Sequence, residues 1–130
     1  MNKHHEQALL LLRKADQDLL VIRKLRSDPD ISADILGFHA QQAAEKMLKA
    51  VLAEKQVRFP FTHRLLDLIA LVQTNNIPFP RGFEAVRALT PFAVEFRYED
   101  LVSGPFRFDA DATLNLLAQL REWALAIVQS

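Results

Sequence analysis

The feature that most constrains the fold is the stretch at residues 37–50, whose apolar side chains recur at the spacing of an α-helix. They repeat every three or four residues, at Leu36, Ala40, Ala43, Met47 and Ala50, with Ala44, Leu48 and Val51 widening the stripe. The alanines allow a neighbouring helix to approach closely. The sequence therefore predicts a long central helix that begins after a cap at Ser32 and ends near Gln56.

The same periodicity predicts a helix on each side of this central one. The first runs from about His5 to Arg26. Its core face consists of Ala8, Leu12, Ala15, Leu19 and Ile22. A shorter helix runs from about His63 to Thr74, with Thr62 as its cap. Its apolar face consists of Leu65, Leu66, Ile69 and Val72.

Two further helices are predicted in the last third of the chain. One starts near Arg81, and its apolar phase continues through Pro91, which favours a kink over a new segment capped by Thr90. Its face consists of Phe83, Val86, Leu89, Ala93 and Phe96. Residues 98–108 lack periodicity and predict a long loop. The last helix follows a cap at Asp109. Its face consists of Thr113, Leu117, Leu120, Ala124 and Ile127.

These segments predict an all-α fold. The expected architecture is an antiparallel up-and-down bundle of four main helices plus a shorter fifth. A chain of 130 residues is long enough to form one hydrophobic core, so we expect a single domain over residues 1–130.

Composition excludes several classes of function. The 16 basic and 16 acidic side chains balance, which argues against a broad electrostatic grip on duplex nucleic acid but allows a local basic site. The absence of cysteine excludes disulfides and thiolate chemistry. The four histidines have no metal-ligand spacing, so neither a metal nor a cofactor is predicted. No apolar run reaches the length of a membrane span, and the start lacks a signal peptide, so we expect a cytoplasmic protein without membrane contact.

Three polar groups lie off the predicted core faces. The first is a row on the central helix formed by His39, Gln42, Lys46 and Lys49, with Gln41 and Glu45 beside it. This row is either a solvated face, with an i,i+4 pair between Glu45 and Lys49, or a site where Lys46 and His39 hold a phosphate or another charged partner. The charged arc at residues 13–18 of the first helix is likewise expected to be solvated.

The other two polar groups lie near predicted helix ends. Thr62-His63-Arg64 begins the short helix, where backbone N–H groups favour anions; the alternative is a cap followed by a structural histidine. In residues 95–100, an arginine and a tyrosine could bind a phosphate or stack a base, or the arginine could pair with its acidic neighbours. No nucleophilic triad, catalytic carboxylate pair or glycine-rich phosphate loop accompanies them.

Three blocks of sequence resemble the HEPN domain family, whose name stands for higher eukaryotes and prokaryotes nucleotide-binding. They are FHAQQAAEKMLKA at residues 38–50, THRLL at 62–66 and LTPFAVEFRY at 89–98. The blocks fall in the family's order and the resemblance covers essentially the whole chain. It implies a bundle similar to the helical domain of kanamycin-type nucleotidyltransferases, and frequent homodimers. It also implies a minimal nucleotidyltransferase as partner, in a two-component or toxin–antitoxin module.

Many members of this family are metal-independent ribonucleases that use an Arg-x4-6-His motif at a dimer cleft. Arg97 is the best match to the motif arginine, but residues 102–104 are Val-Ser-Gly and no histidine follows His63. No catalytic residue is therefore predicted, and the resemblance implies a module that binds a nucleotide or RNA. The candidate ligand contacts are Lys46, His63, Arg97 and Tyr98, with Glu45 and Glu95 orienting the basic groups.

Two alternatives stay open at this point. One is a ribonuclease toxin with a substituted active site. The other is a purely structural dimerisation module, in which Glu95 and Arg97 make interface salt bridges. Nine phenylalanines, several of them near loops, favour self-association, although they could equally plug the ends of the bundle.

Overall fold

The structure, a computed structural model, describes residues 2–92 and 108–130. The helices within these ranges are α1 (Lys3–Leu25), α2 (Ala33–Glu54), α3 (Leu65–Thr74), a 3₁₀ helix (Arg81–Phe92) and α4 (Ala110–Val128). Neither range contains a strand. The predicted all-α fold class is confirmed.

Ion pairs show that α1 and α2 run in opposite directions. Near the start of α1, His5 Nδ1 lies 2.6 Å from Glu54 Oε1, at the last residue of α2. Later in α1, the carboxylate of Asp18 lies 2.6 Å from Lys46 Nζ, which comes earlier in α2. The alanines of α2 at positions 40, 43, 44 and 50 are fully buried, which lets neighbouring helices approach closely, as predicted.

The last helix, α4, also runs antiparallel to α1. Arg26 Nη1 lies 2.9 Å from Asp111 Oδ1, and Arg121 donates to both carboxylate oxygens of Asp16, with Nη2 3.0 Å from Oδ2. Among the described elements, α2 contacts all four of the others. The helix that the sequence places at the centre of the fold is therefore central in the structure.

The core faces of the long helices follow the predicted periodicity. Every apolar residue assigned to the faces of α1 and α2 is buried. In α4 the face turns slightly toward the end of the helix, because Val128 is buried while Ile127 is only half-buried. The buried side chains of all five elements form one continuous cluster.

The start of α3 differs from the prediction. The helix begins at Leu65, and Arg64 rather than Thr62 occupies its cap position. Thr62 instead accepts a hydrogen bond from the Arg64 N–H (3.1 Å) in a turn before the helix. The carbonyl of His63 accepts a hydrogen bond from the buried side chain of Gln41 (2.9 Å), which ties this residue to α2. His63 therefore lies before α3 and not in its first turn. Leu68, rather than Leu66, completes the buried face.

The segment predicted as a kinked α-helix is a 3₁₀ helix that passes through Pro91. Its buried residues Phe83, Val86 and Leu89 are spaced by three, which matches three residues per turn and places them in one row. The prediction of α-helix was wrong because a spacing of three fits both periods over a few turns. The expected face residues Ala93 and Phe96, and most of the loop at 98–108, lie outside the described residues.

Three aromatic side chains pack where the 3₁₀ helix meets α4. The ring centroids of Phe79 and Phe83 lie 5.4 and 6.0 Å from that of Trp123, in edge-to-face arrangements. The indole N–H of Trp123 donates to the carbonyl of Pro78 at 2.7 Å. These two phenylalanines are thus accounted for by packing within the chain.

Both α2 and α3 end in a Schellman motif. At the end of α2, Val57 N–H donates to Leu52 O (2.9 Å) and Gln56 N–H to Ala53 O (3.0 Å). Asn76 occupies the equivalent position after α3. Gln56 has φ 56° and Asn76 has φ 59°. This left-handed conformation destabilises an ordinary L-residue by roughly 1–2 kcal/mol, whereas asparagine tolerates it better. Glutamine is therefore an unexpected choice after α2.

Two of the predicted helix caps, Ser32 and Asp109, are expected to differ in their contribution to stability. Asp109 Oδ1 accepts a hydrogen bond from Ala112 N–H (3.0 Å), whereas the side chain of Ser32 makes no cap hydrogen bond. Asp109→Ala should lower the free energy of unfolding by about 1 kcal/mol, and Ser32→Ala by clearly less. Chemical denaturation of both variants measures this difference; equal losses would contradict the cap assignment.

Candidate functional site

A buried carboxylate on α2 lies at the centre of the main polar cluster. Glu45 is 5% exposed. Its Oε1 accepts hydrogen bonds from Gln41 Nε2 (3.1 Å) and from the imidazole of His63 through Nδ1 (3.0 Å). Its Oε2 accepts from Lys49 Nζ at 3.0 Å. Three donors from two segments of the chain therefore satisfy one carboxylate.

Gln41 extends this network from α2 to the connection that precedes α3. Its side chain is fully buried, and its Nε2 donates both to Glu45 and to the main-chain carbonyl of His63. Its Oε1 accepts from Gln42 Nε2 at 2.7 Å. His63 is thus held twice, through its ring by Glu45 and through its backbone by Gln41.

The surroundings of Glu45 stabilise its charged form. Burial by itself raises the pKa of a carboxyl group, because desolvation penalises the charge. Hydrogen bonds from Lys49, His63 and Gln41 act in the opposite direction and prevail, so the pKa of Glu45 lies below its ordinary value of 4.5. The carboxylate is ionised at neutral pH and accepts from all three donors.

The lowered pKa of Glu45 predicts acid sensitivity. A carboxyl group whose pKa is lower in the folded state contributes stability that is fully present above its ordinary pKa of 4.5. This contribution is lost as pH falls through the folded-state pKa. The wild type should therefore exceed Glu45→Gln in stability at neutral pH, and the gap should shrink as the pH falls below 4.5. Urea denaturation of both proteins across this range measures the gap; a constant gap would contradict the assignment.

The residues between α2 and α3, called here the α2–α3 loop (residues 55–64), place aromatic and basic side chains around this cluster. Phe61 is 96% exposed, and its ring lies edge-to-face against His63, with centroids 5.9 Å apart. Lys49 Nζ lies 5.7 Å from the ring centroid of Phe59 and 5.8 Å from that of Phe61. Both distances fall within the range of a cation–π interaction.

Lys46 belongs to a second cluster, between α2 and α1. Asp18 is buried, and its two carboxylate oxygens face His39 Nδ1 at 2.9 Å and Lys46 Nζ at 2.6 Å. His39, Lys46 and Lys49 of the polar row on α2 thus contact the buried carboxylates of Asp18 and Glu45, which contradicts the alternative of a solvated face. The expectation that Asp18 lies in a solvated arc of α1 was wrong for the same reason. The predicted Glu45–Lys49 pair is present.

The structure brings some of the candidate residues together and separates others. Glu45 and His63 are in direct contact, whereas Lys46 is paired with Asp18 in the other cluster. Arg97, Tyr98 and Glu95 lie outside the described residues. Sequence analysis assigns no role to Phe61 beyond its place among several loop phenylalanines. Its extreme exposure beside a histidine is visible only in three dimensions.

The described part of the chain offers neither a group of metal ligands nor a helix that could span a membrane. Within residues 2–92 and 108–130, no group of three or more histidine, aspartate or glutamate side chains could hold a metal ion. None of the helices in those ranges has the length and apolarity that crossing a membrane requires.

One of the comparisons with known proteins identifies a family. The family model of the HEPN domain matches residues 8–127, nearly the whole chain. Comparison with curated proteins and with solved structures gives no match. The matched range includes all of α2 and α3, and therefore both polar clusters of α2. The chain belongs to the HEPN domain family.

Proposed function

We propose that this protein is a HEPN module that binds a nucleotide or single-stranded RNA through the α2–α3 loop. The observation that carries the proposal is the exposure of Phe61 next to His63, whose ring is anchored by buried Glu45. A fully exposed phenylalanine is unfavourable in water unless a partner covers it. Bases stack on such rings without sequence preference, and each stacked base contributes about 1–3 kcal/mol.

The charges around the loop suit a phosphate-bearing ligand. Lys55, Arg58 and Arg64 are exposed on or beside it. Two acidic residues lie nearby. Glu54 is paired with His5, and Asp67 Oδ2 lies 3.9 Å from Arg64 Nε. The loop is therefore locally basic in a chain with no net charge. This pattern favours a small site for a few nucleotides over a long duplex footprint.

The proposal includes the partners that family membership suggests. We expect a homodimer of single-domain subunits that works in the cytoplasm with a minimal nucleotidyltransferase, in a two-component or toxin–antitoxin system. Arg97, Tyr98 and Glu95 remain candidate contacts in this assembly. Light scattering of the purified protein tests the dimer. A reading frame for a small nucleotidyltransferase beside that of this chain would support the partner, and co-purification of the two proteins would test it.

A direct binding titration tests the proposed function. A fluorescein-labelled single-stranded RNA and, separately, ATP are titrated with the protein, and an RNA duplex of the same sequence serves as control. We expect binding of the single strand, of ATP or of both, with weaker binding of the duplex because its bases are already stacked. Absence of binding to the single strand and to ATP at millimolar concentration would overturn the proposal.

One observation also favours a second candidate function, metal-independent RNA cleavage. Glu45 engages His63 through Nδ1, which leaves Nε2 of a positioned imidazole to act as a general base or acid. Incubation of RNA with purified protein in the presence of a chelator tests this candidate. It predicts cleavage that disappears in His63→Gln and in Arg97→Ala; intact RNA at high protein concentration would discard it.

A further inference from the structure

A groove beside the α2–α3 loop is lined by polar side chains that have no partner among the described residues. It has a volume of about 380 Å³, near the lower end of the range for small-molecule sites. It lies between the first turns of α1, which contribute His4 and Gln7, and the loop, which contributes Gln56, Arg58 and Phe59.

The polar groups in this groove are donors suited to an anion. Arg58 makes no ion pair with any residue in the described ranges, and no described residue hydrogen-bonds to the side chains of His4, Gln7 or Gln56. The described lining includes no acidic residue. Glu54, which ends α2 next to the groove, is occupied by its ion pair with His5. A guanidinium with two amides and an imidazole forms a donor set that matches phosphate oxygens.

The backbone at Gln56 supplies an independent reason to connect the groove with function. Gln56 has φ 56°, in a position of the Schellman motif where glycine is the usual residue. Glycine would relieve the backbone strain but would remove the amide side chain from the groove. Residues held in such conformations cluster at functional sites, where the side chain is needed despite the strain.

The position of the groove matches the proposed stacking surface. Phe59 forms part of the groove wall, and the ring of Phe61 is the exposed platform. The ammonium of Lys49 lies within 6 Å of both ring centroids, 5.7 Å from Phe59 and 5.8 Å from Phe61. At the end of α2, the carbonyls of Leu52 and Ala53 accept the Schellman hydrogen bonds. An anion in the groove therefore does not face free carbonyl groups from those residues.

The geometry points to a phosphate subsite in this groove, formed by Arg58, Gln56, His4 and Gln7. This inference rests on the proposed function, since the subsite takes the phosphate of the nucleotide whose base stacks on Phe61. The ligand chemistry is a phosphate ester, which a free nucleotide and an RNA strand share.

Calorimetric titrations of ATP and adenosine into wild type and variants test the subsite. Arg58→Gln should weaken ATP binding about tenfold and leave adenosine binding unchanged, because only ATP carries phosphates. Arg23→Gln removes the same charge at a different groove, between α1 and α4, and should leave both affinities unchanged. A second set of titrations uses a single-stranded RNA. If Arg58→Gln lowers the affinity for ATP alone, the subsite takes the phosphate of a free nucleotide. If it lowers the affinity for ATP and for the RNA, the subsite takes the phosphate of both ligands.

Measurements of stability and of ATP binding in the same variant test whether Gln56 serves the subsite rather than the fold. Gln56→Gly should raise the Tm by about 3 °C while it weakens ATP binding about threefold. Asn76→Gly changes the equivalent position after α3 and should leave ATP binding unchanged. If wild type binds ATP but Arg58→Gln and Gln56→Gly bind it equally well, the subsite is wrong and the proposed function stands. If wild type binds neither ATP nor single-stranded RNA, both fail.

Discussion

Glu45→Ala is expected to lower the free energy of unfolding by about 3 kcal/mol. The substitution removes the single acceptor shared by Gln41, Lys49 and His63. The side chain of Lys49 is only 13% exposed, so its charge would be left largely buried without the carboxylate that now pairs with it. Removal of one member of a buried ion pair is strongly destabilising for this reason. Urea denaturation followed by circular dichroism measures the loss.

Glu84→Ala is the matched control for this prediction. Glu84 also forms an ion pair three residues along its helix, with Arg87 at 2.9 Å, but both side chains are more than a third exposed. Such a pair contributes about 0.5 kcal/mol. A loss in Glu45→Ala no larger than the loss in Glu84→Ala would contradict the stabilising role of the buried network.

Phe61→Ala is expected to weaken the binding of single-stranded RNA about tenfold or more, with almost no change in stability. The side chain is 96% exposed, so its removal creates no cavity in the core. It does remove the stacking surface beside His63. Fluorescence anisotropy with a labelled single strand measures the affinity, and thermal denaturation of the same sample measures the stability.

Leu20→Ala is the control for the loss of an exposed apolar side chain. Leu20 is 40% exposed on α1, beside the groove between α1 and α4 rather than beside the α2–α3 loop. Its removal should leave RNA binding unchanged. Equal affinities of Phe61→Ala and wild type would contradict the stacking role, and a large loss of stability in Phe61→Ala would show that the ring packs within the protein.

Helical periodicity predicted most of the fold, because burial of an apolar stripe determines where a long helix packs. The faces of α1 and α2 are buried as their spacing predicts. Periodicity is less distinctive in short segments, since a spacing of three fits an α-helix and a 3₁₀ helix alike. The start of α3 was placed too early because the hydrogen bond from Gln41 to the carbonyl of His63 joins residues 22 positions apart.

The candidate site was only partly predictable for the same reason. Glu45 and His63 were both singled out, but the choice between a solvated row and a site depended on what packs against α2. Asp18 lies 28 residues before Lys46 in the chain and forms an ion pair with it in a separate cluster. No local sequence pattern predicts a contact between residues so far apart in the chain. The exposure of Phe61 and the groove at Arg58 also follow from the path of the α2–α3 loop rather than from residue type.

The most direct test of the account is a map of the bound surface by NMR. Amide chemical shifts of ¹⁵N-labelled protein are recorded during titration with a short single-stranded RNA, and the shifted residues are located on the structure. We predict that the largest changes among the described residues fall in the α2–α3 loop (residues 55–64) and at Lys49. Changes confined to another surface, such as the groove between α1 and α4 near Arg121, would contradict the account.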